Sequence, residues 1–267
     1  MQETFYTVPG CPLPVALVSD LHERPFEAVL ASLARNRPAL ICVPGDFMLG
    51  QQARMGLTLQ TSGVLPFFSA CARIAPCFVS LGNHEWLLTD GDLALLAETG
   101  AVPLNNAYAV CGDDGTRLVI GGLSSSRVST YRRFLEANVT PAEANARTRS
   151  RFLRMPPALD WLDAYCAEPG YHILLCHHPE YYPRWLRGRP IELILSGHAH
   201  GGQIRIFGQG LFAPGQGLFP RLTSGVTDGR LVVSRGLANC QDIPRLFNPP
   251  ELVYVSGGGP AAGKAKT

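Results

Sequence analysis

The chain has 267 residues, a formal net charge of +2, 46% apolar residues and only 16% charged ones. That balance excludes a disordered chain. It also gives neither the basic footprint of a nucleic-acid binder nor the acidity that attracts basic partners.

The length suits a single α/β domain, expected to span 1–256. A Gly/Ala/Lys-rich stretch at 257–267 reads as a flexible tail. No leader with a basic start and an apolar centre opens the chain, and no apolar run approaches the ~20 residues of a membrane span. The expectation is a soluble, cytoplasmic protein, with peripheral membrane contact left open.

In chain order, short runs rich in β-branched residues occur at 15–19, 39–43, 77–81, 117–123, 172–176, 192–196 and 231–235. Their nearly continuous hydrophobicity predicts strands covered on both faces. Between the first two, Phe26, Val29, Leu30, Leu33 and Ala34 fall on one helical face. They predict a helix over 26–36 with Pro25 at its first position. Leu65, Pro66, Phe67 and Phe68 read as a buried helix start, with a lipid groove as the functional alternative.

Residues 124–155 are polar and carry Arg127, Arg132, Arg133, Arg147, Arg149, Arg151 and Arg154. They read as a solvated, weakly helical excursion, or as a cap whose arginines meet an anionic substrate. A further helix is predicted at 160–167. From Gln203 onward the chain turns Gly- and Pro-rich, and strands at 203–207 and 231–235 predict a second sheet there. Eight cysteines without a CxxC pair, two of them (Cys42 and Cys176) inside apolar strands, read as reduced core thiols of a reducing compartment.

The chemistry lies just past the strands. Asp20-Leu21-His22 follows the first, Gly45-Asp46 the second, and Gly82-Asn83-His84-Glu85 the third. His177-His178 follows 172–176, and Gly197-His198-Ala199-His200 follows 192–196. Ligands of α/β sheets bind outside the carboxyl ends of the strands, so five such groups would line one pocket with carboxylate, carboxamide and imidazole. The glycines suit tight exit turns, and the imidazoles of His198 and His200, two residues apart, would share one side of an extended segment. No P-loop or Rossmann fingerprint is present.

This series of motifs resembles the calcineurin-like metallophosphoesterase superfamily over residues 15–207. The run from Gly197 to Ile204, with Val233–Leu237 and Phe247–Glu251 as 233–237 and 247–251, is similar to its YkuE-type branch, which includes LpxG-type UDP-2,3-diacylglucosamine hydrolases. The resemblance implies a four-layer α/β/β/α sandwich. It also implies two divalent transition-metal ions (Mn, Fe, Zn, Co or Ni, with Mn or Fe/Mn favoured) that share a hydroxide for attack on phosphate esters or pyrophosphates. By motif position, Asp20, His22, Asp46 and His200 would hold one metal. Asp46, Asn83, His177 and His198 would hold the other, with His84 as proton donor to the leaving group.

Many relatives carry an Asp three residues after the Gly-Asp aspartate to orient that histidine; here the position is Leu49, so a backbone carbonyl or Glu85 is expected to substitute. His178 is expected at the surface or behind the ligands. Arg235 is a candidate phosphate contact, with a structural ion pair as its alternative. A phosphorylated small molecule or lipid-linked compound is the expected substrate. A catalytically silent binding module and a nuclease of the same superfamily are the rival readings.

Overall fold

Successive side chains of a strand face opposite ways, and this alternation sets the layers of the molecule. The computed structural model describes residues 1–49, 58–112, 115–149, 155–239 and 244–258. One six-stranded sheet is formed by β1 (Gln2–Thr7), β2 (Val15–Leu17), β3 (Leu40–Val43), β4 (Cys77–Val79), β5 (Val102–Pro103) and β16 (Glu251–Ser256), in the order β1-β16-β2-β3-β4-β5. The other contains β6 (Ala107–Cys111), β7 (Leu118–Leu123), β8 (Tyr171–Cys176), β9 (Leu193–Ser196), β14 (Gly225–Thr227) and β15 (Leu231–Val233), in the order β14-β15-β9-β8-β7-β6. The central pairings are parallel, from β2 to β5 and from β7 through β8 and β9 to β15.

Val15, Leu17 and Cys42 of the first sheet meet Ile120, Ile173 and Leu195 of the second in a shared core. On the outer face of the first sheet, Ala16, Val18 and Ile41 pack with residues of α1 (Glu27–Asn36), α2 (Val64–Ile74) and α3 (Asp90–Glu98). On the outer face of the second, Leu174, Cys176 and Ile194 pack with Leu162 and Tyr165 of α6 (Leu162–Ala167). The result is a helix–sheet–sheet–helix sandwich, the architecture expected. Its parallel strands release their carboxyl ends toward one edge, where the ligand-type residues lie.

Several expectations need correction. Pro25 lies before the helix, because Phe26 is the N-cap of α1. The β-rich stretch after Gln203 does not join 203–207 and 231–235 in one sheet, and its own sheets are two-stranded. Leu231–Val233 joins the second sheet beside β9, while 203–207 yields only β10 (Arg205–Ile206), which forms a hairpin with β11 (Gln209–Gly210). A second hairpin pairs β12 (Phe212–Ala213) with β13 (Gly217–Leu218).

In the apolar run at 65–68 Leu65 is half-buried and Pro66 exposed, while Phe67 and Phe68 are fully buried in α2 against Phe26 and Phe47, as a buried helix start requires. Burial of each stabilises the fold by about 1.5–3 kcal/mol. The polar segment 124–155 holds two helices, α4 (Ser126–Glu136) and α5 (Pro141–Arg149). They close over a small separate cluster of Trp86, Tyr131 and Ala144. Arg151, Arg154, Cys240 and most of the 257–267 tail lie outside the described residues. The seven described cysteines are all free.

Candidate metal centre

The loops after β2, β3, β4, β8 and β9 meet at one point. Asp20, His22, Asp46, Asn83, His177, His198 and His200 are all buried there. Asp20 Oδ1 lies 4.0 Å from His22 Nε2, 4.0 Å from His177 Nε2 and 3.5 Å from His200 Nε2. Asp46 Oδ2 lies 3.0 Å from His177 Nε2 and 3.8 Å from His84 Nε2. Two clusters, Asp20–His22–His200 and Asp46–His177–His198, each have donor atoms close enough to hold a metal ion.

The backbone is bent to achieve this. Asp20, His22, Asp46, His198 and His200 all have positive φ, between 45° and 64°. Side chains with a Cβ adopt that region at a cost, and such outliers concentrate at functional sites. His198 and His200 therefore do not share one side of an extended segment, as their spacing suggests. Ala199 between them is right-handed helical (φ −75°), and this alternation of hand turns both rings into the pocket.

Gly45 serves a turn, with φ of 130°, and Gly82 and Gly197 serve close approach. A Cβ on Gly82 would lie 2.2 Å from Asp46 Oδ1, and one on Gly197 would lie 1.8 Å from Ser19 Oγ, although neither glycine has positive φ.

Backbone carbonyls orient three of the imidazoles. His22 Nδ1 is 3.0 Å from Met48 O and His200 Nδ1 is 3.0 Å from Ala238 O. His84 Nδ1 is 2.7 Å from Leu49 O. A carbonyl only accepts, so each Nδ1 carries the proton and each Nε2 faces the cluster; partners of this kind fix tautomer and orientation in metal sites.

Leu49 thus replaces the missing Asp with its main chain. Glu85 does other work: its carboxylate accepts from the N–H groups of Asp46 and Gly82, each at 2.8 Å, and of Met48 at 2.9 Å. It clamps two of the ligand loops together. Burial, with the neighbouring Asp46 charge, raises its pKa to about 7.

Electrostatics favour a cation here. Burial and the nearby His84 push His22 down to about 3, and burial with His178 and His177 holds His198 well below the imidazole range. Both therefore present neutral lone pairs. Burial alone would also lower His177, but the Asp46 carboxylate raises it to about 9. The Asp46 carboxylate thus favours positive charge beside it, the charge a bound metal would supply.

The fit of the residues to metal rests on orphaned atoms. His22 Nε2, His198 Nε2 and Asn83 Oδ1 are buried without a hydrogen-bond partner, a costly state that coordination would relieve.

Other expectations fare differently. His178 is fully buried, not at the surface. Its Nε2 is 2.8 Å from Ser125 Oγ and its Nδ1 3.1 Å from Glu180 Oε1, behind the His198 ring. Arg235 pairs with Glu251 at 2.9 Å and donates to Gln2 Oε1 at 2.9 Å, the structural ion-pair role.

Sequence reasoning missed Arg245, which donates to the Ala238 carbonyl and sits 3.1 Å from His200 Nδ1. It also missed Glu180, because neither residue belongs to a motif. Arg127 of α4 reaches the edge of the centre, donating to Asn83 O at 3.2 Å with its guanidinium over Trp86.

The family model "Calcineurin-like phosphoesterase" matches residues 13–202. The chain belongs to that family. It is therefore a metallophosphoesterase, an enzyme of phosphoester hydrolysis. It is 24% identical to the "Uncharacterized protein YpbG" of Bacillus subtilis over 93% of this chain and 82% of that protein. It is 26% identical to the "UDP-2,3-diacylglucosamine pyrophosphatase LpxG" of Chlamydia muridarum over 91% of this chain and 83% of that one. A "Transmembrane protein with metallophosphoesterase domain" from Bos taurus matches at 27% identity over 72% of this chain, which spans 41% of its length. Among solved structures, a dimetal phosphatase from Danio rerio shares the fold at 14% identity, with a TM-score of 0.50 over 85% of this chain and 88% of that one.

Proposed function

We propose that the chain hydrolyses phosphate esters or pyrophosphates with two divalent transition-metal ions. Asp20, His22, Asp46 and His200 would hold one ion, and Asp46, Asn83, His177 and His198 the other. The observation that carries this reading is the convergence of two carboxylates, one carboxamide and four imidazoles in a buried pocket, with unpartnered donor atoms inside it. Bound there, the metals would supply Lewis-acid activation of phosphate oxygens and of water.

The protein's own groups do the rest. Met48 O and Ala238 O hold His22 and His200 in the tautomer that directs Nε2 inward. Leu49 O takes the Nδ1 proton of His84 in a hydrogen bond, so His84 Nε2, beside Asp46 and partly open to solvent, can carry a second proton to the departing oxygen. The Asn83 main chain, held by Arg127, keeps the His84 turn in place.

Residues 1–256 would act as one unit in which α4 and α5 form a cap beside the site. The named substrate of LpxG supports a nucleotide- or lipid-linked pyrophosphate as the substrate class. The testing experiment compares p-nitrophenyl phosphate with bis-p-nitrophenyl phosphate after loading with Mn, Co, Ni, Zn or Fe. Turnover of either supports the reading, and none with any metal at full occupancy overturns it.

A further inference from the structure

Three phenylalanines stand out in water at loop tips: Phe207 is 105% exposed, Phe247 87% and Phe219 67%. All three also have left-handed backbone, with φ of 49°, 53° and 49°. That region is unfavourable for a bulky L-residue and suits Gly, Asn or Asp. Folding stability selects for neither exposure nor this conformation in Phe, and the two coincide three times.

The tips belong to one connected region. Arg205 N donates to Leu246 O at 3.0 Å, which sets the Phe247 segment beside β10, and Gln209 Nε2 donates to Pro220 O at 2.8 Å, which ties β11 to the turn after Phe219. Ile206, Leu218 and Leu246 add further exposed apolar surface.

We propose that these loops are a docking surface for an anionic lipid bilayer. Charge identifies the occupant. From Gln203 to Thr227 and from Pro244 to Pro250 the sequence has Arg205, Arg221 and Arg245 and no carboxylate. Aromatic tips that enter the acyl boundary beside the exposed Arg221 complement an anionic leaflet, while Arg205, bound to the Gly201 carbonyl, and Arg245, bound to the Ala238 carbonyl, add positive charge from within the loops. Protruding tips also differ from the flat, closely packed patch of a protein interface.

The surface is built onto the candidate metal centre. Asn248, next to Phe247, donates to His200 O at 2.7 Å and to Gln203 O at 3.0 Å, so the docking loops brace the His198–His200 turn. Resting on the phosphoesterase reading above, this assigns amphiphilic phosphate or pyrophosphate compounds presented by a bilayer as the substrate class.

The test is sedimentation of the metal-loaded protein with phosphatidylcholine vesicles prepared with and without phosphatidylglycerol. The comparison variant combines Phe207→Asn, Phe219→Asn and Phe247→Asn, since Asn tolerates the left-handed backbone. The wild type should bind the anionic vesicles, and the variant should bind them about tenfold more weakly or worse. Its unfolding midpoint should not fall, and its turnover of bis-p-nitrophenyl phosphate should be unchanged.

Equal binding by both proteins, or binding by neither, overturns the proposal. So does self-association without vesicles that the variant abolishes, because a second copy would then be the occupant. Turnover of the soluble substrate reads the phosphoesterase assignment separately from docking.

Discussion

Each oxygen of Glu85 is committed to main-chain N–H groups of Asp46, Met48 and Gly82. Glu85→Ala would leave three buried donors unpaired at about 1–3 kcal/mol apiece, so the unfolding midpoint should drop sharply in a thermal melt. An unchanged midpoint would contradict the clamp.

His84 is different in kind, for it is partly exposed and its loss leaves the loops tied. His84→Asn should retain metal while kcat falls about 10²–10⁴-fold. The fall should be larger for alkyl phosphates than for p-nitrophenyl esters, whose leaving group needs little protonation. A leaving-group series measures this, and equal losses across it would remove the acid role.

Residue types were legible in the sequence because carboxylate, carboxamide and imidazole stand out after apolar runs. The partners of His22 and His200 were not, since they are carbonyls of Met48 and Ala238 and any residue supplies a carbonyl; for His84 the expected kind of partner, a backbone carbonyl, is present, but nothing in the sequence marks Leu49 as its owner.

The same contrast holds for elements. β3, β8 and β9 could be read because both faces are buried and the runs are uniformly apolar. β1 is a half-exposed edge strand of mixed residues and gave no such pattern. The helices α4 and α5 are polar over most of their surface, so periodicity understated them. They depend on the small cluster around Trp86 and Tyr131, whose rings meet edge-to-face at 4.7 Å between centroids.

Trp86→Ala should cost about 3–5 kcal/mol within that cluster and release α4 and α5 before the sheets unfold. Hydrogen exchange would then quicken over 126–149 while the strands stay protected; uniform exchange would show that the two helices are not a separate unit. At the loops, Gly82→Ala would drive a methyl into Asp46, so metal content should fall even where the fold survives. Metal analysis of the purified variant checks this.

At the scale of the whole molecule, two six-stranded sheets bring the same ends of their strands to one site, and the charge of that site ties stability to metal and to pH. In metal-free protein the His177 proton is held up to about 9 against an ordinary 6.5, and burial is overcome by Asp46. Its contribution is fully present below pH 6.5 and is lost as pH rises through about 9.

Bound metal replaces that proton. Metal-free protein should therefore lose stability between pH 6.5 and 9 relative to the loaded form, and loading at pH 7 should release about one proton. Loading at about 100 times the dissociation constant adds about 2.7 kcal/mol for each ion bound. Unfolding midpoints across pH, with and without chelator, read both effects, and parallel curves would contradict the linkage.

The most direct test of the central claim is metal content and turnover measured on the same sample. Protein stripped by chelator and reloaded should bind two ions per chain, with hydrolysis of bis-p-nitrophenyl phosphate rising with occupancy, and Asp46→Asn should lose both together. Saturation at one ion, or two bound ions without hydrolysis, would contradict the account.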